Sequence, residues 1–342
     1  MWPGERGDDQ ARLLQPFVQN LFMIDRRLHV LRMVATCGTV TGAAVAMHYT
    51  PSAVSQQLRS LARDLGVELV VQDGRRIRMT PAARTLLAHT DELFARWEEV
   101  RAEVLASDED HGGELRLCGF STAAAALLPA AAALVGELRP GCRIRIIEAD
   151  PGECFELLLA DEADVAVVVA TPEVPPSADP RFEQRHLLED PLDLLVPENH
   201  RLANESHVVL QDLADEPWIM DRPGRPYHQL LQAACAAAGF TPMPAHYATE
   251  WDTGAALVGA ELGVALIPRL AHLPGGYPVV RVPLSGDPTP SRHLLTGIRR
   301  GSAENPVIAM SLRSLEEVCQ ARLTSRGLML RRTGDPSEKL GG

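Results

Sequence analysis

The chain of 342 residues holds one lysine, Lys339; every other basic side chain is arginine. Aromatic residues make up 4%. No apolar run approaches the ~20 residues needed to span a bilayer. The N-terminus lacks the basic, apolar and small-residue regions of a secretory signal, so a cytoplasmic protein without a membrane partner is expected. The six cysteines, at 37, 118, 142, 154, 235 and 319, form no CxxC, and none sits near histidines at zinc spacing. Neither a metal nor a cofactor is therefore expected. The sequence contains no GxSxG, no HExxH and no phosphate-binding glycine loop; "GFSTA" only resembles the first of these. No catalytic residue is assigned, and no enzymatic activity is expected. The cysteines read as reduced, mostly buried thiols. The sharper alternative is a redox pair among Cys118, Cys142 and Cys154, which would need a cationic neighbour to lower a thiol pKa.

What is present is unevenly distributed. The net charge is −12. Yet residues 24 to 80 hold eight arginines against four acids, a local excess of +4 that leaves −16 for the rest. A basic segment on an acidic body implies that this segment alone meets a polyanion.

Residues 1–22 show no clear period and are expected to be a disordered N-terminal extension, with Met23 a candidate translation start. From there, Leu28, Leu31, Val34 and Ala35 fit one helical stripe that Gly38 ends, and Thr39 can cap a second short helix through Ala43, Ala44 and Met47. In "YTPSAVSQQLR" (49–59), Thr50 suits an N-cap and Pro51 the first helical position, where its missing N–H costs nothing. Val54, Leu58, Leu61 and Leu65 then form one buried face, Gly66 stops the helix, and Ser52, Ser55, Gln56, Arg59 and Arg63 lie on the other face. "ELVVQDGRRIRMT" reads as two strands joined at Asp73-Gly74, with Arg75 and Arg76 on the turn. Three short helices and a basic hairpin make a winged helix-turn-helix over residues 23–80.

Thr80-Pro81 caps a long helix over 81–106. Ala83, Leu86, Thr90, Leu93, Trp97, Val100 and Val104 recur at spacings of three and four, a heptad seam that predicts a dimer-forming helix. The plainer alternative is an amphipathic helix lying on its own domain. "SDEDHGG" provides a polar hinge over 107–113. Beyond it, strands alternate with helices, which predicts an α/β sheet with parallel strands. Residues 326–342 are expected to be disordered.

These residues resemble the LysR-type transcriptional regulators, from Met23 to about Leu323. The most specific part is "TVTGAAVAMHYTPSAVSQQLRSLARDLGVELVVQDGRRIRMTPAA" (39–83); "PENHRLA" (197–203), "AAGFTP" (237–242) and "GAELGVALIPR" (259–269) add weaker support. The chain departs from the family at Ala62, where an acid is usual, at Gln72 (arginine) and at Ala83 (glycine). Pro51-Ser52 stands where much of the family has Gln-Pro.

The resemblance implies an α/β multidomain protein: the winged head, the linker helix, and a C-terminal two-lobed effector domain of periplasmic-binding-protein type. The expected lobes are 114–171 with 269–325, and 172–268, with crossovers near Ala170-Thr171 and Pro268. The third helix would enter the major groove of double-stranded DNA, with Pro51 at its start and Ser52, Ser55 and Gln56 at base edges. Arg59 would fork to guanine or hold a phosphate; Thr39, Thr41, Thr50, Arg75 and Arg76 would hold phosphates. Leu86, Leu93, Trp97, Val100 and Val104 would join copies into a dimer or tetramer. A small-molecule effector, unnamed by the sequence, would sit between the lobes. Ser121 and Thr122 are its first candidate contacts, with Thr171, Thr249 and Glu250 behind them. RNA polymerase stands as a further candidate partner. Two rival readings are a redox regulator of the same family and, from the C-terminal half alone, a solute-binding protein.

Overall fold

The computed structural model describes residues 24–73, 76–107, 113–273, 275–286 and 289–326. The expected N-terminal extension, the Met23 start, the wing residue Arg75, most of the hinge and the tail beyond Arg326 lie outside the described residues.

The head forms as its capping signals require. Helix α1 (Arg26–Cys37) ends at Gly38 with φ 68°, a left-handed position that glycine occupies without strain. Helix α2 (Val40–Ala46) is capped by Thr39, whose hydroxyl accepts from Gly42 N. Helix α3 (Pro51–Leu65) starts with Thr50 accepting from Ala53 N and stops at Gly66. Val54, Leu58 and Leu61 of α3 are buried with Val30, Leu31, Val34, Ala43 and Ala44. Leu65, expected on that face, is 48% exposed, as the last residue of the helix before the Gly66 cap. Strands β1 (Val70–Asp73) and β2 (Arg76–Met79) form the antiparallel wing, tied to the head by a hydrogen bond from Ile77 N to Gly38 O.

Helix α4 (Pro81–Ala106) is the linker helix, capped by Thr80. Its two faces part company. Ala83, Thr90, Phe94, Glu98 and Ala102 are buried against the protomer itself, whereas Leu93 and Val104 are 54% and 61% exposed. Of the expected seam, Ala83 and Thr90 therefore point inward, and Leu86, Trp97 and Val100 lie half-buried between the two faces. Arg32 of α1 pairs with Asp91 of α4 at 2.8 Å and lies over the Phe94 ring. Burial holds His29 down at about 4, so this histidine of α1 is neutral at pH 7.

The C-terminal part is a mixed eight-stranded sheet and a separate parallel pair, Pro217–Met220 with Met243–Tyr247, with helices packed on them. Strand β3 (Glu114–Gly119) pairs in parallel with β4 (Arg143–Glu148) and β5 (Val165–Val169). Helices α5 (Ser121–Ala126), α6 (Leu128–Leu138) and α7 (Pro151–Leu159) connect them. Strand β6 (Phe182–Pro197) is the spine. Its first part pairs antiparallel with β12 (Ser291–Arg299), and its second with β10 (Ala265–Pro268) and β11 (Val279–Ser285). Strands β7 (Val208–Val209), β8 (Pro217–Met220) and β9 (Met243–Tyr247) and helices α8 (Pro226–Ala237) and α9 (Trp251–Gly259) complete the second half. Helix α10 (Pro306–Arg326) returns to pack on α6 and the first half.

Two expectations are corrected here. The sheet is mixed rather than parallel throughout: the returning strands β12, β10 and β11 run antiparallel to β6. The crossovers also move. Residues after Ala170-Thr171 stay in the first half, because Phe182–Pro191 pairs with β12. The chain changes halves at Pro191-Leu192 inside β6 and returns between β11 and β12, not near Pro268. The outward crossing lies inside one strand, so no loop marks it.

Buried charge fastens the linker helix to this sheet. Arg299 of β12 donates to Glu98 of α4 at 2.7 Å, to Asp164 at 3.1 Å and to the Leu158 carbonyl. Arg116 of β3 grips Asp164 with two side-chain bonds and its backbone N–H. Asp161 and Arg101 extend the network. At Gly301, with φ 86°, an added Cβ would lie 2.2 Å from the Ala95 carbonyl oxygen, so only glycine lets α4 approach this closely.

Arg299→Met should destabilise the protein by about 3–5 kcal/mol, because Glu98 would be left buried without its cation while Asp164 keeps only Arg116; urea unfolding measures it. Burial opposes ionisation of Asp164, but the Arg116 hydrogen bonds and the Arg299 charge overcome it and hold the carboxyl down at about 2. The stability this adds is complete above the unfolded value of about 3.9 and is lost as pH falls toward 2. Compared with the wild type, Asp164→Asn should therefore show a shallower acid limb in thermal melts below pH 4.

Candidate nucleic-acid interface and ligand cleft

The head exposes one coherent polar face. Pro51, Ser52, Gln56, Arg59 and Arg63 of α3 are exposed and Ser55 is half-buried, while the opposite stripe is sealed in the core. Ser52 Oγ lies 3.0 Å from Thr50 Oγ1, and Arg59 Nε donates to the Ser55 carbonyl at 3.1 Å, so the guanidinium lies back along its own helix. Small side chains keep the helix surface low, and the hydroxyl and amide groups both donate and accept. Such a face can meet base edges in a groove. Thr39, half-buried as a cap, and Thr41, exposed on α2, flank it. The backbone of Arg76 opens β2; its side chain and all of Arg75 lie outside the described residues.

The second site is a cleft of about 1520 Å³ where the two halves of the sheet meet. The chain's own folding rules build it. Strands β3 and β5 end at one edge, and the start of α5 and the residues after β5 bring Ser121, Thr122 and Thr171 to its wall. Thr249, Glu250 and Trp251 at the start of α9 and Tyr227 of α8 form the facing wall. Tyr227 and Trp251 stack edge to face at 4.9 Å, with the Tyr227 hydroxyl donating to the Leu266 carbonyl. The structure thus brings together all five residues expected to contact a ligand. They are not equivalent. Ser121 and Glu250 are exposed, and Thr249 is half-buried and engages Asp221 at 3.4 Å. Thr122 Oγ1 and Thr171 Oγ1 are buried and have no hydrogen-bond partner in the protein.

Sequence reading missed Arg292. It is buried on β12, bonds Asp190 at 2.6 Å, lies 5.2 Å from the centre of the Phe120 ring, and lines the cleft. Its Nε–H is a third buried donor without a partner. Burial pushes the Asp190 carboxyl up, and the Arg292 charge opposes that rise. In the sequence, "SRHLL" reads as an ordinary strand, and only pairing to Asp190 inside β6 reveals a buried cation.

The cysteines take no part in either site. Cys118 and Cys154 are buried neighbours, with Cys118 Sγ 3.8 Å from the Cys154 carbonyl. Contact with the Cys154 thiol, then burial, pushes the Cys118 thiol well above its ordinary value, and burial raises Cys142. A protonated thiol is a poor nucleophile, which weighs against the redox reading.

Comparison with known proteins identifies the two domains that carry these sites. The model of the bacterial regulatory helix-turn-helix proteins of the lysR family matches residues 26–84, and that of the LysR substrate binding domain matches residues 108–320. The chain is similar to the HTH-type transcriptional regulator YvbU of Bacillus subtilis, at 26% identity over 72% of this chain and 81% of that one. Similarity to the HTH-type transcriptional regulator ShiR of Corynebacterium glutamicum is 27% over 68% and 82%. In fold it resembles full-length OxyR from Pseudomonas aeruginosa, with a TM-score of 0.59 and 18% identity over 84% of this chain and 93% of that one. With the head matched at one end and the substrate-binding domain matched over more than half of the chain, the protein belongs to the LysR family of DNA-binding transcriptional regulators with a C-terminal effector-binding domain.

Proposed function

We propose that α3 lies in the major groove of operator DNA, that Ser52, Ser55 and Gln56 touch base edges, and that Thr39, Thr41, Thr50, Arg59 and the wing arginines hold phosphates. The cleft then takes a small organic acid. Its carboxylate oxygens accept from Thr122 Oγ1, Thr171 Oγ1 and Arg292 Nε, and its apolar body rests near Phe120 and Trp251. The observation that carries this reading is the convergence of three buried, unpartnered donors on one cleft. Buried polar groups are rarely left unpaired, and three donors together suit an acceptor-rich ligand. Leu93 and Val104, exposed on α4, meet a second copy of the chain through the helix face that the protomer leaves uncovered. Regulation is binding rather than catalysis: ligand closes the two halves of the effector domain, and the change reaches the head through α4. Acting on chromosomal DNA, the protein works in the cytoplasm, where RNA polymerase is within its reach.

Gln56→Ala should relax sequence preference by about 1–3 kcal/mol, the value of a good base contact. Arg59→Ala should weaken operator and random DNA alike and flatten the salt dependence. Fluorescence anisotropy with both DNAs at several salt concentrations separates the two, and unchanged binding in both variants would reject this face.

Thr122→Val and Thr171→Val should leave the melting temperature of the ligand-free protein level or raised, because each removes an unsatisfied hydroxyl. Screening a panel of small carboxylates for thermal stabilisation should give hits on the wild type that both variants, and Arg292→Gln, lose. A fall in stability of more than about 1 kcal/mol in the valine variants would show that the hydroxyls are already satisfied.

A further inference from the structure

Strand β6 carries one irregularity. Its pairing with β12 runs Arg292 to Asp190, His293 to Glu189, Leu294 to Leu188, and then Leu295 to His186, so Leu187 is an extra residue in the ladder. In a regular strand, residues three apart point to opposite faces. The bulge cancels that alternation: Leu187 and Leu188 are both buried, and His186 and Glu189 turn to the same side. On β12, His293 stands directly across from Glu189, its Nδ1 3.4 Å from Glu189 Oε1. One ring nitrogen from each histidine and one Glu189 oxygen all lie within 4.8 Å of one another. Ser291 Oγ donates to Glu189 Oε2 at 2.9 Å and so orients the carboxylate.

The geometry points to a binding site for a divalent transition-metal ion of the zinc class, held by His186, Glu189 and His293. Two imidazoles and one carboxylate form a donor set that suits borderline ions such as Zn²⁺, not Mg²⁺ or Ca²⁺, which take oxygen ligands. With metal–ligand bonds of about 2.0–2.1 Å, neighbouring ligands on a tetrahedron lie about 3.4 Å apart; the His293–Glu189 pair already has that spacing, and His186 needs only a side-chain adjustment. A surface ion pair would account for His293 and Glu189 alone. It gives no role to His186 or to the bulge that brings it round. Three protein ligands leave a coordination position open. On both strands the site is one residue from the Arg292–Asp190 pair, and His293 itself lines the cleft. An ion here would fix β6 to β12 just before β6 leaves the first half of the sheet, and would tune the opening of the cleft.

The test uses the tag-free full-length chain, stripped of metal and titrated with zinc chloride against a chromogenic chelator in excess magnesium. One zinc ion per chain is expected at micromolar free metal. His186→Ala and His293→Ala should each weaken it by more than tenfold, and Ser291→Ala by about 10-fold through loss of the orienting bond. Cobalt(II) should give the visible absorption of a low-symmetry nitrogen–oxygen site in the wild type and lose it in His186→Ala. The His186 side chain is exposed, so the melting temperature of that variant without metal should match the wild type. Absence of zinc binding in the wild type would overturn the assignment. So would equal zinc affinity in the His186→Ala/His293→Ala double variant, which would place the metal elsewhere, for instance on the cysteines.

Discussion

The grip of Arg299 on Glu98 and Asp164 is the contact on which the rest of the arrangement depends. Three chemically different parts meet there: the linker helix through Glu98, the first half of the sheet through Asp164 and Arg116, and β12 through Arg299 itself. Each charge is withdrawn from water, so the cluster holds only while all its members are present. Apolar packing alone would tolerate a helix that slides by a turn. A buried fork of charge-assisted hydrogen bonds, with Gly301 pressed under the Ala95 carbonyl, fixes α4 in one register. The head follows, because Arg32 and Phe94 join α1 to the same helix and Arg181 reaches Thr36 at 2.7 Å.

Strand β12 makes that contact relevant to the cleft. Arg292 stands at its start in the cleft wall, and Arg299 at its end under the linker helix. Seven residues of strand span about 23 Å, with no loop between them. On the proposed reading, in which Arg292 holds the ligand, β12 is a continuous element that joins the cleft to the anchor of the linker helix. Asp190 and Glu189 on the neighbouring strand, one bonded to Arg292 and the other facing His293, show how densely this strand pair is charged where β6 changes halves.

Much of the head was legible because its signals are local. Thr39, Thr50 and Thr80 each cap a helix through their own hydroxyl, Gly38 and Gly66 each end one, and the apolar spacing of α3 marks its buried face except at Leu65. Capping depends on residues three positions apart, which a sequence displays. The effector half was legible as alternating strands and helices, but its halves were misdrawn. A single strand that exchanges partners at Pro191 has no loop there to announce the change, and strand direction in the sheet is set by distant pairing. Arg292 stayed hidden for the same reason: its burial is created by Asp190, about a hundred positions earlier. Thr122 was readable as a hydroxyl at a helix start and Thr171 as one at a strand end, but that they lack partners is a property of the packed interior.

The linker helix shows why two readings of one sequence pattern can both be partly right. Spacings of three and four fit a heptad seam and an amphipathic surface helix equally, because both place apolar residues on a stripe. The deciding fact is the width of the stripe. On α4 it is wider than one partner can cover: Thr90, Phe94, Glu98 and Ala102 turn toward the protomer, and Leu93 and Val104 turn away. A polar residue at the buried edge, Glu98, is compatible only with a facing cation, which Arg299 provides within the same chain. An aliphatic residue at the exposed edge asks for an apolar surface, which the described residues of the protomer do not offer there. The same helix is therefore internal structure along one side and uncommitted surface along the other, and the division falls where its chemistry changes from ion pair to aliphatic.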